Sequence, residues 1–216
     1  MSSAGSAGFQ PAFGSETAGW KPPLRVVLAS TSVSRRAILQ AAGLDFDAVS
    51  PGVDEDAVKL SCLASGAPPR RIAVVLADQK ALAVSRSMPG LVIGADQTLD
   101  LDGALYDKPR DLAQARQTLA ALRGKTHHLH SAIAAARDGA VVWRACQTAS
   151  LTMWTFDDVF LDAYLTDQGE AVLSSVGAYL LEGRGIQLFD KIEGDYFSIL
   201  GLPLLPLLAF LRSRAE

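Results

Sequence analysis

Cysteine is scarce in this chain: two among 216 residues, Cys62 and Cys146, with no CxxC pair. That excludes a disulfide framework and a zinc knuckle, and makes reduced thiols in a cytosol the expectation. An excess of positive charge is missing as well, with 20 Lys and Arg against 23 Asp and Glu and a formal net charge of −3. Binders of duplex nucleic acid usually present a broad basic face, so phosphate binding here is expected to be local. No apolar run is long enough to span a bilayer. The longest, "ILGLPLLPLLAFL", is interrupted by Pro203 and Pro206 and predicts a buried C-terminal helix beginning near one of them. GxGxxG and GxxxxGK[ST] are both absent, which leaves the Rossmann and P-loop readings unsupported, and no internal repeat is visible. Residues 1–23, "MSSAGSAGFQPAFGSETAGWKPP", have neither the basic start nor the apolar core of a signal peptide and are expected to be a flexible tail. What remains is 49% hydrophobic and 20% charged, ordinary for a globular protein of one large domain or two lobes over 24–216.

Residues 24–43, "LRVVLASTSVSRRAILQAAG", read as a buried strand feeding a helix through Ser30-Thr31-Ser32, with Ser32 as N-cap and Gly43 as the stop. Two arginines, Arg35 and Arg36, stand in the first turn. A helix N-terminus is already positive, and each cation there costs roughly 0.3–1 kcal/mol unless an anion neutralises it. Either the arginines reach solvent and surface carboxylates, or hydroxyls, free amides and guanidinium groups form a phosphate cradle.

Beyond this, "FDAVSPGVDED" predicts a short strand, a turn at Pro51-Gly52 and an acidic loop. "PPRRIAVVLADQKALAVSRSM" predicts a helix from Pro69. "GLVIGADQTLDLDG" predicts a strand from Leu91 to Gly94 leading to Asp96, then a hairpin at Asp102-Gly103. A helix capped by Asp111 stops at Gly124, and "DDVFLDAYLTD" is helical. The segments "THHLHSAIAAAR", "AVVWRACQTASLTMW" and "GAYLL" read as strands, and "GIQLFDKIEGDYFSILG" adds one or two more. Strands joined by both helices and hairpins imply an α/β protein with a mixed sheet.

Asp96, at the expected C-terminal end of an apolar strand and beside Gly94 and Ala95, has room for a close substrate approach. It is either a general base or metal ligand, or the cap of the next turn. Lys80 and Lys108, the latter held extended by Pro109, are surface lysines or phosphate contacts. Arg35, Arg36, Lys80 and Lys108 together with Glu55 and Asp96 suit a metal–triphosphate substrate, since hard divalent cations need carboxylates. His127, His128 and His130 alternate on a strand and do not converge on one ion, and no Ser or Cys nucleophile has a partner.

The blocks "LASTSVSRRAIL", "VDED", "LADQKA", "VIGADQTL", "KP", "LRGKTH", "GAYLLEGRG" and "IEGDYFSILGLPL" resemble, in order and spacing, the Maf family of nucleoside triphosphate pyrophosphatases. The resemblance runs from about Leu24 to the C-terminus. It implies an inosine-triphosphatase-like α/β fold with a cleft between two lobes, a divalent cation such as Mg²⁺ or Mn²⁺, and often a homodimer. It further implies cleavage between the α and β phosphates to a nucleoside monophosphate and pyrophosphate. On the matching positions, Asp96 is the catalytic aspartate and a metal-site residue, Glu55 the acidic metal-site residue, and Ser30, Arg35, Arg36, Lys80 and Lys108 the phosphate contacts.

Three positions depart from the branch that hydrolyses dTTP and UTP: Ser34, Gln97 and Glu182 replace its Arg, Thr and Gln. Gln97 and Glu182 resemble the branch acting on 7-methyl-GTP, although that branch's aromatic residue near Ser34 is missing and Val33 replaces proline. A carboxylate accepts from guanine N1–H and the exocyclic amine together, whereas uracil and thymine turn acceptors toward it. Guanine-type nucleotides are the expected substrates. Two rivals are a nucleotide-binding regulator of septum formation with little turnover and a single-stranded nucleic-acid binder, the second opposed by the acidic charge balance.

Overall fold

A computed structural model describes residues 25–214, so the expected N-terminal tail lies outside the described residues. The order is β1 (Val26–Ala29), α1 (Val33–Ala41), β2 (Phe46–Val49), α2 (Glu55–Ala64), α3 (Pro69–Ser85), β3 (Leu91–Leu101), β4 (Ala104–Tyr106), α4 (Leu112–Leu122), β5 (Thr126–Arg137), β6 (Ala140–Met153), α5 (Asp158–Gln168), β7 (Phe189–Glu193), α6 (Tyr196–Ile199) and α7 (Leu204–Arg212). Two 3₁₀ turns, Gly169–Ser174 and Arg184–Leu188, precede β7. One mixed sheet runs β2-β1-β3-β5-β6-β7, with β4 added on β3. Strand β1 is parallel to both neighbours, and every other pairing is antiparallel. The mixed-sheet α/β class is as expected.

All four residues of β1 are buried, as a strand covered on both faces requires. Three local expectations need correction. Strand β3 does not end before Asp96. The β1 ladder stops at Ala29 opposite Gly94, but β5 continues along the other edge, with Asp96 opposite Ala132, and carries β3 on to Leu101. Strand β4 rejoins the first edge only at Leu99, so Asp96, Gln97 and Thr98 lie beside a gap between β1 and β4. "GAYLL" forms no strand: Ala178 has φ 58°, a left-handed conformation that breaks an extended ladder. The acidic run is no loop either, because Asp54 caps α2 by accepting from the Ala57 amide at 3.0 Å.

Two hydrophobic cores are spaced along the long strands. Leu91, Ile93 and Ala95 of β3 join the core under α1 and α7, while Leu99 and Leu101 join the one under α4 and α5. This spacing divides the molecule into two lobes on a shared sheet. On the other face of the sheet α3 lies very close to the strands, alanine on alanine: Ala73, Ala77 and Ala81 face Ala132, Ala134 and Ala136. Gly94 allows this approach, since a Cβ there would stand 2.3 Å from the Ala77 carbonyl oxygen. Helix α7 starts between the two expected prolines, and Trp143 stacks on its Phe210 at 4.7 Å. Among the described residues no helix is long and apolar enough to cross a membrane.

Candidate active site

A cleft of about 1060 Å³ opens at the gap between β1 and β4. Its floor is set by the alternation of β3. Gly94, Asp96 and Thr98 share the face that α3 covers: Thr98 Oγ1 donates to the Pro69 carbonyl at 2.9 Å, and Asp96 meets Lys80. Lys80 Nζ donates to Asp96 Oδ1 at 2.6 Å and to Glu55 Oε1 at 2.8 Å. One ammonium thus bridges carboxylates delivered by a strand and a helix. Both Lys80 and Asp96 are buried. Burial on its own would raise the Glu55 pKa, but the Lys80 hydrogen bond and charge, with Lys59 and Arg35 behind them, bring it below the usual 4.5.

On the opposite wall, Ser32 caps α1 as expected, accepting from the Arg35 amide at 3.4 Å. The Arg35 side chain folds back over the helix start, with Nε donating to the Gly201 carbonyl at 2.9 Å and Nη1 to Ser30 Oγ at 3.4 Å. Ser30 Oγ also accepts from the Ser32 amide at 3.2 Å. Ser30 therefore orients the guanidinium group. Burial lowers the Arg35 pKa, opposed by the charges of Asp96 and Glu55. Lys108 is pushed down from 10.5 by burial and then by Arg35, with Glu55 and Asp96 only partly compensating. Arg35 and Lys108 thus share one hollow with the Glu55–Lys80–Asp96 bridge.

Of the residues expected from sequence, Ser30, Ser34, Arg35, Glu55, Lys80, Asp96, Gln97, Lys108 and Glu182 all line this cleft. Arg36 does not. Helix α1 turns Ser34 and Arg35 into the hollow, and at about 100° per residue Arg36 falls outside it. Gln97 lines the cleft but spends its amide inward, donating to Ser131 Oγ at 2.8 Å and to the Ser198 and Ile199 carbonyls at 3.0 Å each. Only its carbonyl oxygen is left to meet a ligand. Gly94, expected to make room for substrate, faces α3 instead and makes room for the helix that brings Lys80. The three histidines do not converge: His127 is buried against Tyr179, while His128 and His130 bond to Ser150 and Thr148. Lys59 is a cleft residue that sequence reasoning missed. Its signal was there in the Asp54 cap and the Glu55–Lys59 spacing of one helical turn.

A family model for Maf-like proteins matches residues 25–214, nearly the whole chain. The chain belongs to the Maf family. Within the Maf family, a protein named nucleoside triphosphate pyrophosphatase from Caulobacter vibrioides is 59% identical over 187 residues, which is 87% of this chain and 94% of that one. Another of the same name from Hyphomonas neptunium is 52% identical over 191 residues, 88% of this chain and 96% of the relative. A 7-methyl-GTP pyrophosphatase from Brucella abortus biovar 1 is 50% identical over 190 residues, again 88% and 96%.

Among the described residues no cluster of three or more Asp, Glu, His or Cys side chains could hold a metal alone. Asp96 and Glu55, each giving one oxygen to Lys80, still fit a hard cation that takes the rest of its shell from phosphates and water.

Proposed function

We propose that this Maf-family chain is a nucleoside triphosphate pyrophosphatase. It hydrolyses the α–β phosphoanhydride of a guanine-type nucleotide such as 7-methyl-GTP to the monophosphate and pyrophosphate. The observation carrying this reading is the cleft in which Arg35 and Lys108, both depressed by burial, face the Glu55–Lys80–Asp96 bridge. A bound polyphosphate would face Arg35 and Lys108, and Glu55 with Asp96 would hold a divalent cation that neutralises phosphate charge.

Lys80 keeps Asp96 oriented through Oδ1, leaving Oδ2 to take a proton from the attacking water as its oxygen bonds to phosphorus and the anhydride bond breaks. Lys80 retains a third N–H for substrate. Arg35, clamped by Ser30 and Gly201, offers its remaining N–H groups without paying for ordering. Glu182, exposed at the cleft edge, is the acceptor pair for a guanine edge. Gln97 fixes the wall behind the base, and Ser34 lines the same hollow. The homodimer and the use of Mg²⁺ or Mn²⁺ belong to the same reading and rest on the family resemblance, and the cytoplasmic location rests on the scarcity of cysteine.

The test is pyrophosphate release from 7-methyl-GTP, GTP, dTTP, UTP and inosine triphosphate with each cation. The expected order puts 7-methyl-GTP first and the pyrimidines last. Tight binding without release, in every cation, would overturn the reading in favour of a nucleotide-binding regulator.

A further inference from the structure

Helix α2 carries Glu55 into the cleft, yet none of its ten residues is buried. It is flanked by Gly52 and Gly66, with φ of 62° and 72° and open space where a side chain would stand. A helix with so little apolar contact is held by what its polar groups reach, and such segments open at low cost. One tether is the Glu55–Lys80 contact. The second lies one turn on, on the same helical face: Lys59 Nζ meets Asp107 Oδ1 at 2.6 Å and Asp56 at 3.7 Å. Asp107 precedes Lys108, which Pro109 keeps extended, so this ion pair crosses the cleft between the two phosphate-facing elements. The Lys59 side chain is 19% exposed and that of Asp107 56%, so the lysine end of the pair is the shielded one. Burial alone would lower the Lys59 pKa, but the Asp107 hydrogen bond and charge outweigh it and raise the value.

We propose that Lys59 and Asp107 are positioning residues that strap α2 across the cleft and hold Glu55 and Lys108 together around a triphosphate. The role of the strap in turnover rests on the pyrophosphatase reading; its mechanical role does not. Because the strap gathers groups that contact substrate before and during reaction alike, its loss falls mainly on KM. The variants are Lys59→Met, Asp107→Asn, their combination, Lys59→Arg, and the exchange of charges Lys59→Asp with Asp107→Lys.

With 7-methyl-GTP, each single charge removal is expected to raise KM about tenfold with kcat changed less than about threefold. The combination should be no worse than either alone, and both Lys59→Arg and the charge exchange should recover most of the loss. In the nucleotide-free protein, amide hydrogen exchange over 55–64 should rise in the single variants and fall back in the charge exchange. Additive losses, or unchanged exchange over α2, would overturn the strap. So would a lower KM in Asp107→Asn beside a higher one in Lys59→Met, since Lys59 would then grip phosphate itself. If the unsubstituted protein releases no pyrophosphate from any nucleotide, the enzyme reading fails while the exchange result still decides the strap.

Discussion

A single ammonium group sets the chemistry of the cleft. Lys80 lies between Asp96 and Glu55, and without it two carboxylates would face one another in a half-closed hollow. Asp96→Asn keeps the shape but removes the proton acceptor, so kcat should fall by about 10²–10⁴ in a pyrophosphate-release assay; unaltered turnover would remove Asp96 from the reaction. Lys80→Met acts on Glu55. The Glu55 pKa is depressed in the folded protein, so its ionised form stabilises the structure above the usual value of 4.5 and that contribution is lost as pH falls through the folded value. With Lys80 gone, its hydrogen bond and its charge no longer oppose burial and the pKa rises. The acid limb of the pH–rate profile should therefore move to higher pH in Lys80→Met, and an NMR titration of Glu55 should follow it.

At the scale of elements, the site depends on how closely α3 lies on β3. Replacing Gly94 by Ala would put a methyl 2.3 Å from the Ala77 carbonyl and 2.5 Å from the Ala81 amide, both backbone atoms of the helix that carries Lys80. The helix must lift. Gly94→Ala should cost about 1–3 kcal/mol in urea denaturation and also reduce turnover, because Lys80 leaves Asp96. The elements with strong patterns were legible in sequence: the Ser32 cap, the Pro69 start and the Asp111 cap all stand where propensity places them. Helix α2 was not, because its acidic start reads as a solvated loop and its apolar Leu60 and Leu63 stay exposed. Nor was the length of β3, which is set by a ladder to β5, some 35 residues further along, and not by its own composition. "GAYLL" looks like a strand locally, but the tertiary fold turns it at Ala178.

For the whole molecule, the gathering of distant residues into one cleft followed from the ordered blocks of the resemblance, since no periodicity relates Arg35 to Lys108. That Lys80 bridges two acids, and that Gln97 turns inward, came only from the packing of helix on sheet. The fold carries one further titrating group away from the chemistry. His127, fully buried in the lobe of α4 and α5, bonds Tyr179 through Nε2 at 2.8 Å and packs on Phe189. Its Nδ1 has no hydrogen-bond partner among the described residues, so a second N–H on protonation would find no acceptor. Burial, with a smaller push from His128, lowers its pKa from 6.5 to about 4. The folded protein therefore resists a proton that the unfolded chain accepts. Stability is full above the unfolded value of 6.5 and declines as pH falls toward the folded value near 4, by a total of about 3 kcal/mol at 1.36 kcal/mol per unit. Glutamine at this position can still bond Tyr179 and does not titrate. His127→Gln should flatten the dependence of the urea midpoint on pH between 6.5 and 4 while leaving the steeper loss below 4 from carboxylates in place. Parallel curves for the two proteins would show that His127 is not held neutral by the fold. Tyr179 lines the cleft as well as bonding His127, so in the unsubstituted protein acid should loosen the wall on the Glu182 side before it reaches the Lys80 bridge.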